Sequence, residues 1–223
     1  MKYYAIIVAG GKGTRLGGGI PKQFRLLNGR PMLMYTMDAF FGARRDINVI
    51  VVLPEEHIGY WLSLCDEYGF NPKYSIAKGG GSRWESVRNG LALVAESGIV
   101  AVHDGARPLV SPALINTAFD TAERFGSAVP AVAPVDSMRI IDKDGNSRIL
   151  DRDCCRCIQT PQVFRSEILV DAYRLPFLEC YTDDASVVES AGGTIKLIDG
   201  EKNNIKVTAL QDISLAEIIL NGG

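Results

Sequence analysis

With 223 residues, 47% of them hydrophobic, the chain is long enough to bury the core of one α/β domain, and a second full domain is not expected. A net charge of −2 speaks against a nucleic-acid binder, which gathers Lys and Arg into a dominant basic patch. No stretch approaches the ~18 apolar residues of a membrane span. The start MKYYAIIVAGG carries one Lys before an apolar run broken by glycines, which does not fit a secretory signal. Five cysteines, an odd number, then predict reduced thiols and a cytoplasmic location.

Apolar runs rich in β-branched residues alternate with segments of helical periodicity. That pattern predicts a doubly wound, mostly parallel twisted sheet with helices on both faces. Strands are expected at Tyr3–Val8, Val49–Leu53, Lys73–Ile76, Ile99–His103 and Ala128–Val132. Between them, helices fit Met32–Phe41, Glu55–Tyr68, Arg83–Glu96 and Pro112–Phe125, the last with Ser111 as N-cap and Pro112 in its first turn. The pattern then changes. Ser137–Ile141 and Ser147–Leu150 flank DKDGN, an Asp-Gly turn signal that predicts a β-hairpin projecting from the sheet. Helices near Ser166–Tyr173 and Ala185–Ala191, a strand at Thr194–Ile198 and a helix near Leu210–Leu220 complete the reading.

The first strand runs into Ala9-Gly10-Gly11-Lys12-Gly13-Thr14-Arg15, followed by more glycines and Pro21-Lys22-Gln23. Beyond the carboxyl end of a parallel strand, glycines let backbone N–H groups approach phosphate oxygens. The spacing fails the dinucleotide fingerprint, because Leu16 stands where the third glycine belongs, and it lacks the GK[ST] ending of a P-loop. Lys12, Arg15 and Lys22 add three cations able to neutralise a triphosphate. A surface turn with solvated Lys and Arg has the same composition. A second loop, Gly79-Gly80-Gly81-Ser82-Arg83, opens the third helix, where free N–H groups could meet a ligand, or Ser82 could simply cap.

The fourth strand ends in His103-Asp104-Gly105-Ala106-Arg107-Pro108, which places a carboxylate and a guanidinium at the same sheet edge. Asp accepts hydroxyls or holds a cation, and Arg clamps a phosphate; the pair could also be a plain salt bridge. His103, at the end of an apolar strand, is read as hydrogen-bonded structure. Cys154-Cys155-Arg156-Cys157 lacks the second ligand cluster of a zinc site, so structural thiols are expected. Asp151-Arg152-Asp153 mimics a metal-sharing D-x-D but lies beside the hairpin. Neither a Ser–His–Asp nor a Cys–His arrangement is apparent, so hydrolase chemistry is not supported.

Taken together, AGGKGTRLG, PKQF, GGGSRWESVRNGL, VHDGARP, QTPQVF, TDDAS and NNIKVT stand in the order of one family. From Ala5 to about Thr208 the chain resembles the 2-C-methyl-D-erythritol 4-phosphate cytidylyltransferases of the non-mevalonate isoprenoid pathway. The resemblance implies a single Rossmann-like nucleotidyltransferase domain over 1–223, with a dimerisation β-arm inserted at about 136–158. It implies a homodimer with a shared active site, and transfer from CTP to the phosphosugar alcohol with Mg²⁺ on the triphosphate; the metal's ligands stay open. Arg15 and Lys22 match the family's transition-state stabilisers. Arg152, reaching across the dimer, and Lys206 match the residues that position the attacking phosphate. Ala9, Gly10, Gly11, Gly13, Thr14, Gly80 and Ser86 are expected at CTP, the last two at its cytosine end. Asp104, Arg107, Thr182 and Thr208 are expected at the phosphosugar. Gly81 and Gly105 stand where many relatives carry side chains. The competing readings are a ribitol 5-phosphate cytidylyltransferase, which shares AGGKGTR, PKQF and an HD-x-x-RP motif, and a non-catalytic nucleotide-binding regulator.

Overall fold

Residues 1–10, 21–44 and 46–222 are described by a computed structural model. The elements begin with β1 (Lys2–Val8), a 3₁₀ turn at Lys22–Phe24, a small ribbon of β2 (Leu26–Leu27) and β3 (Arg30–Pro31), and α1 (Met32–Ala43). Next come β4 (Ile47–Leu53), α2 (Glu55–Glu67), β5 (Ser75–Lys78), α3 (Arg83–Leu91), β6 (Gly98–Asp104), α4 (Pro112–Phe125) and β7 (Ser127–Val132). A hairpin of β8 (Met138–Ile141) and β9 (Ser147–Leu150) leads through a 3₁₀ turn at Arg152–Cys154 to β10 (Cys157–Ile158) and β11 (Gln162–Arg165). Finally α5 (Ser166–Tyr173), α6 (Asp184–Ser190), β12 (Leu197–Asp199) and α7 (Leu210–Leu220) follow.

The side chains of β1 settle the layering. Successive residues of a strand point to opposite faces. Ala5 and Ile7 pack into one core with α1, α2 and α4, while Tyr4 and Ile6 pack into a second with α3, α5 and α6. A strand apolar on both faces is stable only with helices on each side. β1 pairs in parallel with β4 and with β6, and β4 pairs in parallel with β5. The order is therefore β5-β4-β1-β6-β11-β7, with β10 and β12 also pairing β7. Between β1 and β6 the winding reverses, which opens a crevice at their carboxyl ends.

Several sequence boundaries move by one or more residues, three of them for a visible reason. The strand predicted at Lys73–Ile76 lies two residues later, in register with Ile50–Leu53. The third helix stops at Leu91 and not Glu96, as Leu93 and Val94 turn back to bond the carbonyls of Gly90 and Leu91. The stretch 194–196 meets β7 through one backbone bond, Val129 N–H to Lys196 O, and through a side chain, the Ser127 hydroxyl donating to Thr194 O and accepting from Lys196 N–H, and β12 begins at Leu197. The helix α4 begins and ends as its sequence predicts. Ser111 Oγ accepts from Leu114 N–H, and Gly126 ends it at φ 90°, where a Cβ would be strained.

β11 lies between β6 and β7 and runs antiparallel to both. It is absent from the sequence expectations, being four residues long with no alternation: Gln162, Val163 and Phe164 are all buried. Its partner pairs, Gln162 with Val102 and Arg165 with Ile99, seat QTPQVF beside the end of β6.

Gly90 shows how tightly α3 sits on the sheet. A Cβ there would lie 2.6 Å from Ile6 Cγ2 and 3.2 Å from Val52 Cγ2. Gly90→Ala gains about 1 kcal/mol of helix propensity but overpacks a site that costs about 1–3 kcal/mol to open. A lowered urea midpoint at unchanged m-value is the expected result; an equal or higher midpoint means that Ile6 yields freely.

Candidate active site

The crevice is built from the ends of β1 and β6. Ala9 N–H donates to Val52 O at 2.9 Å and Gly105 N–H to Val8 O at 2.9 Å, so both chain exits stay tied to the sheet. The Gln23 side chain donates to Ala9 O at 2.7 Å, which holds the Lys22–Phe24 turn against β1. Opposite lies the glycine loop before α3. Ser82 caps that helix, accepting from Glu85 N–H at 3.1 Å. Gly80 N–H donates to Ser86 Oγ and Gly81 N–H to Glu85 Oε2, so the amides expected to be free for a ligand are satisfied by side chains folding back from α3. A Cβ on Gly10 would lie 3.2 Å from Ser86 Oγ, and glycine is what lets β1's end approach that hydroxyl. Together Ala9, Gly10, Lys22, Gly80, Ser86, Arg83, Asp104 and Lys206 line a cavity of about 330 Å³.

A second cavity of about 280 Å³ abuts the first and is lined by Arg107, Ile158, Thr160, Gln162, Thr182 and Asp183, sharing Arg83, Asp104 and Lys206 with it. Asp104 is the centre of this shared wall. Its Oδ2 lies 2.7 Å from Lys206 Nζ and 3.7 Å from Arg107 Nε, and its Oδ1 lies 3.5 Å from Arg83 Nε. Burial alone raises a carboxyl pKa; here the three cations, Arg83 first, outweigh it and hold Asp104 well below the usual carboxylate range. The Arg107 Nη1 donates to Asn204 O at 2.8 Å, and Val207 N–H donates to Ala106 O at 2.8 Å. These two bonds bring the late segment carrying Lys206 onto the end of β6.

Behind the wall His103 is fully buried. Arg107 O, 3.1 Å from Nε2, can only accept, so Nε2 carries the proton. Nδ1 then accepts from the Thr160 hydroxyl at 3.1 Å, whose oxygen in turn accepts Asp104 N–H. Burial pushes His103 down to about 4. A neutral imidazole with both nitrogens occupied acts as scaffold, as its place in the sequence suggests.

The structure brings Ala9, Gly10, Lys22, Gly80 and Ser86 to the first cavity and Asp104, Arg107, Thr182 and Lys206 to the second or to the shared wall. Gly11, Gly13, Thr14 and Arg15, with Lys12, lie outside the described residues. Thr208 is not brought to either cavity: its N–H and hydroxyl both bond Asp212 Oδ2 at the start of α7. Arg152 lies exposed in the turn after the hairpin, where its Nη1 donates to Val135 O, and lines neither cavity. Asp151, of the D-x-D triplet, accepts from Asp153 N–H and Cys154 Sγ. The thiols of Cys154 and Cys157 are exposed, so this cluster does not build a core. Among the described residues no group of three His, Cys, Asp or Glu is placed to hold a metal, and no helix is long and apolar enough to cross a membrane. Arg83, Thr160, Gln162 and Asp184 fall within segments that the sequence singles out, GGGSRWESVRNGL, QTPQVF and TDDAS, but the sequence reading gives none of the four a role.

Two adjoining cavities at the switch point of a doubly wound sheet, walled by Arg and Lys about a single carboxylate, are an arrangement that suits a nucleotidyltransferase. The family model for 2-C-methyl-D-erythritol 4-phosphate cytidylyltransferase (IspD) matches residues 3–222, and the chain belongs to that family. Proteins of that name from Porphyromonas gingivalis and Phocaeicola vulgatus are 46% and 42% identical, over 98% and 99% of this chain and 98% and 100% of theirs. Among solved structures, the 2-C-methyl-D-erythritol 4-phosphate cytidylyltransferase of Thermus thermophilus superposes with a TM-score of 0.77 at 31% identity, covering 99% of this chain and all of its own. The 4-diphosphocytidyl-2C-methyl-D-erythritol synthase of Anaerococcus prevotii reaches a TM-score of 0.84 at 25% identity, over 99% of this chain and 96% of its own.

The buried neutral His103 makes stability depend on acid. Its folded value of about 4 lies below the unfolded 6.5, so its contribution is whole above pH 6.5 and is lost as the pH falls toward 4. The shift corresponds to about 3 kcal/mol. Between pH 7.5 and pH 4 the unfolding free energy of the wild type is expected to fall by about that much more than that of His103→Gln. Parallel declines in urea titrations mean that His103 is not the group being protonated.

Proposed function

We propose that the two cavities hold CTP and 2-C-methyl-D-erythritol 4-phosphate side by side, with cytidylyl transfer at the wall of Arg83, Asp104 and Lys206 that they share. The observation that carries this reading is that shared wall, because a phosphate in the second cavity meets the nucleotide only there. An oxygen of the acceptor phosphate attacks the α-phosphorus of CTP, the α–β phosphoanhydride bond breaks, and pyrophosphate leaves. The product is 4-diphosphocytidyl-2-C-methyl-D-erythritol, a precursor in isoprenoid biosynthesis. A phosphate monoester has its second pKa at about 6 and is largely dianionic at neutral pH, so the attack needs no general base. The requirement is cationic, preorganised stabilisation of a crowded α-phosphate. Lys206 and Arg107 face the acceptor side, Lys22 the nucleotide side.

Mg²⁺ enters as part of the substrate, on the triphosphate. The donor set fits that arrangement: Asp104 is already held by three cations, and Mg²⁺ commonly takes substrate phosphates and water as its ligands. Bound there it supplies charge neutralisation on the triphosphate oxygens. The hairpin of β8 and β9 is assigned as an arm that embraces a second subunit, so that the partner subunit's Arg152 reaches the acceptor phosphate. Its exposure away from both cavities of its own chain supports this. Five free cysteines suit a reducing cytoplasm.

Pyrophosphate release with CTP and Mg²⁺ tests the reaction, with methylerythritol phosphate and ribitol 5-phosphate offered in parallel. Turnover with the first is expected; turnover with ribitol phosphate alone overturns the acceptor assignment, and silence with both leaves a nucleotide-binding regulator. Lys22→Ala and Arg152→Ala are each expected to lose about a hundredfold in kcat. Mixed and allowed to exchange, they should recover activity in heterodimers, where one site holds both wild-type residues. No recovery after demonstrated exchange removes Arg152 from the neighbouring site.

A further inference from the structure

We infer that Asp184, held by Tyr173, is a positioning residue for the transfer: it fixes the Arg83 guanidinium in the wall that the nucleotide and acceptor cavities share. The inference rests on the reading of those cavities just given. Asp184 is the first residue of α6 and is fully buried, touching no substrate cavity itself. A carboxylate in such a place needs strong partners. Arg83 gives it two, Nη1 to Oδ1 at 3.0 Å and Nη2 to Oδ2 at 2.6 Å, and the Tyr173 hydroxyl donates a third at 2.6 Å. Burial, and then the charge of Asp184, push the Tyr173 pKa up, so its hydroxyl keeps the proton it donates.

A guanidinium has five N–H donors in a rigid fork. With the two terminal nitrogens clamped on Asp184, the Nε edge is turned toward Asp104 Oδ1 at 3.5 Å. Arg83 is thereby kept from closing on Asp104, where it would compete with Lys206 for the same carboxylate. The clamp also ties the loop before α3, which lines the nucleotide cavity, to Thr182 and Asp183, which line the acceptor cavity. Tyr173 is placed independently of its hydroxyl, its ring stacking on Trp84 at 5.7 Å and 18°. Removing that hydroxyl therefore isolates the hydrogen bond.

The test combines three variants. Tyr173→Phe is expected to raise KM for the acceptor and lower kcat, about tenfold in kcat/KM together, with CTP affinity by calorimetry changed less than about twofold. Asp184→Leu takes away the partner of both terminal nitrogens of Arg83 and leaves the Tyr173 hydroxyl without its acceptor, so it is expected to lose stability or fail to fold, whereas Arg83→Leu/Asp184→Leu removes both charges and should recover the urea midpoint. In that double variant the acceptor kcat/KM is expected to stay about a hundredfold down. Wild-type acceptor kinetics in Tyr173→Phe, or activity returning together with stability in the double variant, overturns the inference and makes the pair purely structural. A readout free of substrate separates this from the underlying reading: the Arg83 Nε–H resonance is expected to be sharp in the wild type and to broaden in Tyr173→Phe. An unchanged resonance counts against the clamp even where the enzyme turns over, while a silent wild type with the expected broadening refutes only the assigned reaction.

Discussion

A carboxylate taken out of water is costly unless cations and hydrogen bonds replace the solvent it loses. Asp104 is in that position at the end of the central strand β6, and its partners come from three separate parts of the chain: Arg83 from the start of α3, Arg107 from the turn after β6, and Lys206 from the segment before α7. Each cation is drawn toward one point, and each also faces a cavity. Three cations gathered without an anion would repel one another; around Asp104 they are held together before any phosphate arrives. Such preorganisation is what makes electrostatic catalysis effective, since the protein need not rearrange as charge develops.

The sheet delivers these groups. Reversal of winding between β1 and β6 puts the two chain exits next to each other, and β11 with the residues just before it adds Gln162 and Thr160 from the far side. Thr160 then links Asp104 N–H to His103, and His103 to Arg107 O. This relay uses a neutral histidine to fix backbone, so the residue with the most familiar catalytic reputation serves the fold. Asn204 plays a comparable part, donating to Thr160 O and accepting from Arg107 with its own carbonyl.

Much of this was legible in the residues because the signals were local. The unbroken apolar run of β1, the Ser111 cap of α4, and the Asp-Gly turn of the hairpin each depend on neighbouring residues alone, and each is where the sequence puts it. So were the approach of Ala9 and Gly10 to the cavity and the Asp104–Arg107 pair. β11 was not legible, because four buried residues without alternation have no period to read. The clamp on Arg83 was hidden for a different reason: Asp184 is 101 residues away in sequence, and a buried carboxylate is told from a solvated one only by what folds over it. The satisfied amides of Gly80 and Gly81 belong to the same class, since whether Ser86 and Glu85 turn back on the loop is a matter of rotamer rather than residue type.

The hairpin leaves the sheet at Val132 and the chain returns at Cys157, and those two residues face each other across a ladder pair. Departure and return are thus stapled at one spot on β7, and the β8–β9 ladder makes its own closed set of pairs. Residues can be gained, lost or exchanged beyond that staple without shifting the register of β7 or β11. A segment so decoupled can change shape around Arg152 without moving the cationic wall, so the residue proposed for the neighbouring site is carried on a part of the chain held apart from the sheet that carries the rest.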